Sequence, residues 1–130
     1  MDRDPTTSVA LAGGPRDRPL SGLVRRLVAY MHENHAEPIR LRDLKRMTDC
    51  TVFQIIRAFR RELGVTPHAY LIAVRTERAA SLLLRGGSIA ETAAEAGFAD
   101  QSHLARHLKK RYGATPREFM AQRMAAGTAI

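Results

Sequence analysis

Small folds are often stapled by disulfides or built around large aromatic residues, and this chain has little of either. Its 130 residues include one cysteine, Cys50, no tryptophan, and 5% aromatics in all. One thiol cannot form an intrachain disulfide, so a reducing, cytoplasmic setting is the expectation. Nowhere does the sequence approach the ~20 consecutive apolar residues that span a bilayer. The apolar stretch at residues 9–12 is too short for the core of a signal peptide. No glycine-rich phosphate loop, nucleophile motif or paired-carboxylate arrangement stands out, so neither an enzyme nor a cofactor is expected. Acid is also scarce: 13 Asp and Glu stand against 21 Lys and Arg, a net charge of +8.

That excess has a place. Residues 1–20 hold Arg3, Arg16 and Arg18 against Asp2, Asp4 and Asp17, which cancel. The surplus therefore lies in the remainder, where it can form a fixed basic face suited to a polyanion. The first twenty residues, rich in Thr, Gly, Pro and charge, lack periodicity and read as a flexible arm. Beyond them the apolar set is Leu, Ala, Ile and Val, and Pro and Gly fall between periodic segments. This pattern predicts one all-α domain over residues 21–123, with a short tail at 124–130.

Ser21 is the predicted N-cap of a helix reaching about residue 34, with Leu23, Leu27, Val28 and Met31 inward. A short helix at about 41–47 and a tight turn, Thr48-Asp49-Cys50, come next. Thr51 then caps a helix over 52–63 whose inward stripe is Val52, Ile55, Ile56, Phe59 and Leu63, closed by Gly64. Thr66-Pro67 opens the longest helix, to about residue 85, with Tyr70, Leu71, Val74, Ala79, Leu82 and Leu83 inward. Ser88 caps a short helix over 89–96, Gly97-Phe98 turns the chain, and a helix over 101–112 runs to Gly113. A last helix begins at Thr115-Pro116 and is expected to fade after Arg123.

Two stretches echo each other. Gly64-Val65-Thr66-Pro67 matches Gly113-Ala114-Thr115-Pro116 at an offset of 49 residues. The same offset pairs Ile55 with Leu104, Arg57 with Arg106, Phe59 with Leu108, and Arg60-Arg61 with Lys109-Lys110; it pairs Leu44 with Ala93. A short helix, a tight turn and a second helix ending in basic residues thus occur twice, which is the form of a helix-turn-helix. At about 100° per residue, burying Ile55 and Phe59 turns Phe53, Arg57 and Arg60 outward, with Gln54 and Arg61 beside them. The matching face of the second unit is Ser102, Arg106 and Lys109, flanked by His103 and Lys110. Arginine among small polar and stacking groups is the chemistry that reads base edges and phosphates. The 101–112 helix carries Arg106, Lys109, Lys110 and Arg111 and no acid, a self-repelling arrangement unless a polyanion lies against it. His103 and His107 have a spacing that can hold a metal, but no further ligand accompanies them and no metal is expected.

From Ala94-Glu95-Ala96-Gly97-Phe98-Ala99-Asp100-Gln101-Ser102-His103-Leu104-Ala105-Arg106 through Gly113-Ala114-Thr115-Pro116, the chain resembles the signature of the AraC/XylS family of transcription regulators. Thr51-Val52-Phe53 with Arg57-Ala58-Phe59-Arg60-Arg61 is similar to that family's first unit, and Arg75 with Glu77-Arg78-Ala79 to its linker helix. The resemblance implies a seven-helix domain placing two recognition helices in successive major-groove segments of double-stranded DNA, ~34 Å apart. It further implies base-facing roles for Phe53, Ile56 and Arg57 in the first unit and Ser102, His103 and Arg106 in the second. Gln54 and Gln101 join that set, and phosphate contacts are expected from Thr51, Arg60, Arg61, Arg75, Lys109 and Lys110. Such regulators mostly activate transcription by contacting RNA polymerase.

The chain also departs from the pattern. Lys45 stands where a small alanine usually packs against the recognition helix, a place Ala94 is expected to keep in the second unit. Asp49 and Cys50 replace the usual Gly-Leu of the turn, Ile56 a polar reader, and Leu108 a phenylalanine. The first unit is therefore expected to be less tightly packed or less base-specific, and the second to carry more of the specificity. The family's usual sensor domain has no counterpart among these 130 residues, and the expectation is a stand-alone monomer or a fragment, with the initiating Met and the arm read as favouring the former. The competing reading is a basic helical module that binds an acidic partner protein.

Overall fold

The computed structural model describes residues 19–128, which form seven helices and no strand. They are α1 (Gly22–Glu33), α2 (Leu41–Arg46), α3 (Val52–Leu63), α4 (Pro67–Leu84), α5 (Ile89–Ala96), α6 (Gln101–Tyr112) and α7 (Pro116–Thr128). The arm expected at residues 1–20 lies almost wholly outside the described residues. The tail expected from residue 124 is a correction: α7 continues to Thr128. Met124, Ala125 and Ala126 are strong helix formers and prolong the turn that carries them. None of these helices is long and apolar enough to cross a membrane.

Helix boundaries follow from capping chemistry. Ser21 Oγ accepts the Val24 N–H, and Asp43 at the start of α2 accepts the Arg40 N–H at 2.9 Å. Thr51 and Gln54 form a reciprocal box, with Thr51 Oγ1 accepting Gln54 N–H and Gln54 Oε1 accepting Thr51 N–H. Asp100 caps α6 through the His103 N–H at 2.8 Å. Gly64 and Gly113 end α3 and α6 at φ 77° and 72°, a left-handed conformation costly for any residue with a Cβ.

The described residues divide into two compact units, the boundary falling between Val74 and Arg75, and each has its own core. In the first, α1 and α2 pack on α3, burying Leu27, Met31, Leu44, Ile55 and Phe59 completely or nearly so. Tyr70 is fully buried there, and its hydroxyl lies 3.1 Å from His32 Nε2, which gives the polar end of the ring a partner. In the second unit α5 and α7 pack on α6. Its core is smaller side chains, Ala79, Ala93 and Ala96 with Leu83, Leu104 and Leu108, closed by Phe98 and Phe119. The division falls inside α4, where the apolar pattern is interrupted by Arg75-Thr76-Glu77-Arg78. Val24, Ala58 and Ala73 are core residues that the periodic stripes omit, while Leu23, Val52, Ile56 and Leu82 are only half-buried.

The repeat is less regular than one offset implies. Val52 and Gln101 open the second helix of each unit 49 positions apart, but Leu41 and Ile89 open the first helix 48 apart. The second unit has one more residue between the starts of its two helices, and that residue is helical: α5 has eight residues against six in α2, and the connection that follows runs over 97–100 against 47–51. Leu44 therefore corresponds to Thr92, both 1% exposed, and Lys45 to Ala93. This corrects two expectations, since Ala94 is exposed and Ala93 is the small residue packed in the core. The turns differ in chemistry as well as length. In the second, Gly97 takes φ 96° and Phe98 N–H reaches back to Ala93 O at 2.8 Å, a Schellman closure that seats Phe98 in the core. In the first, Met47 stays right-handed and Thr48 Oγ1 accepts the Cys50 N–H at 3.1 Å. A side-chain-closed turn needs no glycine, which is how Asp49 and Cys50 are accommodated.

Candidate nucleic-acid interface

Burial of Ile55, Ala58, Phe59 and Leu63 fixes the rotation of α3, so its other side must meet solvent. Phe53, Gln54, Arg57, Arg60 and Arg61 are all exposed there. Among the described residues no acid lies within ion-pair distance of Arg57 or Arg60, while Arg61 approaches Glu62 at 3.7 Å. Glu62 is held in turn by Ser21, whose N–H and hydroxyl both donate to its carboxylate. Gln54 is less available than its exposure implies, because its carbonyl oxygen is committed to the Thr51 N–H. Thr51 is exposed, with its hydroxyl engaged as a cap. Ile56 is half-buried at the edge of the core.

On α6 the buried pair is Leu104 and Leu108, leaving Gln101, Ser102, Arg106, Lys109 and Lys110 exposed. No described acid pairs with Arg106 or Lys110. Lys109 Nζ donates to Gly113 O at 3.3 Å, across the helix end.

Two members of the expected cationic or reading face are instead turned inward. The His103 ring is half-buried, with Nε2 3.2 Å from His107 Nε2. Both imidazoles pack on Phe98, at centroid distances of 5.3 and 5.9 Å, and His103 Nδ1 is buried with no hydrogen-bond partner. An aromatic at position 98 attracts both rings to one place. Among the described residues no third ligand turns the pair into a metal-binding group. Arg111 is the second case. It reaches Glu77 of α4 at 3.8 Å and lies over the Tyr112 ring, so α6 is relieved of one charge by an acid 34 residues earlier.

Arg75 differs from the other cations expected to touch phosphate. It is half-buried on α4, and burial pulls its guanidinium pKa down. Conversely, the outward residues Arg42, Lys45 and Arg46 on α2 form a basic group that the sequence reading left out. The available signal was their position, because the first helix of such a unit crosses the DNA backbone.

Comparison with known proteins places this geometry. A family profile described as a helix-turn-helix domain matches residues 44–122, more than half of the chain. The virulence regulon transcriptional activator VirF of Yersinia enterocolitica is 31% identical over 101 residues, covering 77% of this chain and 37% of that protein. A probable AraC family transcriptional regulator from Rhodopseudomonas palustris superposes with a TM-score of 0.73 at 28% identity, over 79% of this chain and 98% of that one. The DNA-binding domain of AdpA, solved in complex with a target DNA, superposes at 0.75 with 26% identity, over 82% and 96%. The chain spans well under half the length of the curated relatives it matches. With two helix-turn-helix units, each presenting an outward basic face, the chain belongs to the AraC-type helix-turn-helix family of DNA-binding transcription regulators.

Proposed function

We propose that this chain reads double-stranded DNA in the major groove through α3 and α6 and, as a monomer, regulates transcription from the cytoplasm. The observation that carries this reading is the pair Arg57 and Arg106. Each stands on the outward side of the second helix of its unit, exposed and without an acid beside it among the described residues. A guanidinium left free in this way can bond bidentately to guanine O6 and N7. Ser102 and Gln101 supply hydroxyl and amide groups beside Arg106, while Phe53 and the free amide nitrogen of Gln54 accompany Arg57. Arg60, Arg61, Lys109 and Lys110 are the phosphate contacts, joined by Lys45 and Arg42 on α2. His103 contributes shape rather than hydrogen bonds, since its ring faces Phe98 and His107.

Activation, with RNA polymerase as the protein partner, is the favoured outcome of binding, by analogy with the activator relative named above. The decisive experiment is selection of bound sites from random DNA by the full chain, followed by footprinting. Two preferred boxes about one helical turn apart are expected. A single box would show that one unit does not read sequence, and binding without any preference would refute the proposal.

A further inference from the structure

Phe53 is 75% exposed, whereas Phe59, Phe98 and Phe119 are at most 6% exposed. It is also far more exposed than Leu84 or Tyr112, the other large hydrophobic residues in solvent among the described residues, at 43% and 42%. A phenyl ring in water is unfavourable, and neither the core nor a neighbouring side chain takes it up. Its position is specific. Phe53 is the second residue of α3, in the first turn of a recognition helix, where side chains meet base edges. Arg57 stands one turn further along and Arg60 two, so the ring is set in a cationic surround that suits a polyanion and not an apolar protein face.

We infer that Phe53 reads the C5-methyl group of a thymine in the box bound by the first unit. A phenyl ring has no hydrogen-bonding group, and the thymine methyl is the one apolar feature that the standard base pairs show in the major groove. Its neighbours do not compete for that place: Val52 is half-buried, and the Gln54 carbonyl oxygen is held by the Thr51 N–H. In the second unit the corresponding residue is Ser102, exposed and polar, so methyl reading belongs to the first unit alone. The two units thus use different chemistry, an apolar contact beside Arg57 and a hydroxyl beside Arg106. The inference rests on the duplex-reading function proposed above and adds the base feature recognised.

The test replaces thymines of the selected site one at a time by uracil, which removes the methyl and keeps every hydrogen bond. Binding of the full chain is followed by fluorescence anisotropy. The first-unit box is identified as the one whose preference Arg57→Ala relaxes. One thymine in that box should cost wild type roughly three- to tenfold in affinity when its methyl is removed, the worth of one buried methyl with its contacts. Phe53→Ala should bind the thymine site more weakly by a similar factor and be indifferent to the uracil exchange. Phe53→Leu should keep part of the discrimination. Circular dichroism melts of Phe53→Ala confirm that an exposed position has been changed without loss of fold. The DNA exchange leaves the protein untouched and stands regardless of that result. If every uracil exchange in that box is neutral for wild type, or if Phe53→Ala stays sensitive to it, the inference is overturned while duplex reading survives. A selection that returns no preferred sequence removes both.

Discussion

Replacing Arg106 by alanine separates base reading from simple charge attraction. Arg106 is exposed on α6, and no acid among the described residues pairs with it. Its removal leaves no buried partner stranded, so thermal stability should change by less than about 0.5 kcal/mol. If the guanidinium bonds bidentately to guanine, binding to the selected site should weaken by about 1–3 kcal/mol, roughly five- to 150-fold. Binding to a scrambled duplex should fall far less. Lys110, one turn further along the same helix, is the control. Lys110→Ala should weaken both duplexes alike and lower the slope of log affinity against log salt by about 0.9, one phosphate contact. Anisotropy titrations of both variants on both duplexes at four or more salt concentrations give all the numbers required. If Arg106→Ala weakens both duplexes equally with the same loss of slope, Arg106 touches phosphate and the base assignment fails. If it binds the selected site like wild type, α6 is not oriented as proposed.

Other residues make separate predictions. Arg111→Ala should leave the salt slope near its wild-type value, unlike Lys110→Ala, and instead cost about 1 kcal/mol of stability, because its charge is directed at Glu77; chemical denaturation reads the difference. Gly113→Ala should cost about 1 kcal/mol from backbone conformation alone, since φ is +72° and a new Cβ meets no atom within 4 Å. Gly87→Ala should also destabilise, for a steric reason, because the added Cβ would stand 2.8 Å from Thr92 Oγ1 and 3.1 Å from Leu82 O. The Glu118 carboxyl has its pKa lowered, chiefly by the Thr115 N–H it accepts at 2.7 Å. A lowered folded-state value means stability that is present at neutral pH and lost as pH falls through the carboxylate range. Glu118→Gln should accordingly flatten the acid side of a melting-temperature profile.

The sequence revealed the helices with little error because their ends are chemical. Thr51, Gly64, Pro67, Ser88 and Gly113 each satisfy or restrict a backbone group, and a backbone signal is local. It was less informative wherever the outcome depended on a side chain's distant partner. Arg111 looks like one cation in a run of four until Glu77 is brought beside it. His103 occupies a helical position that faces outward by periodicity, yet Phe98 and His107 draw its ring inward. The Thr51–Gln54 box was legible as a three-residue spacing, but its consequence, an amide oxygen committed to the backbone, needs the hydrogen bond itself.

The single-offset repeat failed for a different physical reason, and that failure sharpens the asymmetry between the units. Packing of α2 on α3 and of α5 on α6 demands only that the two helices of each unit meet; it does not demand equal turns. The second unit uses a longer first helix and a shorter turn, whose left-handed glycine delivers Phe98 to the core, with Ala93 in close packing. The first closes its longer turn through the Thr48 hydroxyl and leaves Lys45 outside, whereas its counterpart Ala93 is buried. The substitutions that set the first unit apart thus have a structural solution and do not signal loose packing: Leu44, Ile55 and Phe59 are as buried as their counterparts. On the function proposed above, what the first unit gives up is hydrogen-bonding capacity on its outward face, where Gln54 is half committed and Phe53 has none. Its contribution to specificity must then come from Arg57 and from an apolar contact, while Lys45 adds charge. This distribution predicts that exchanging Lys45 for alanine weakens binding to all duplexes without altering the sequence selected. A changed selection would place Lys45 near bases and undo this division of labour.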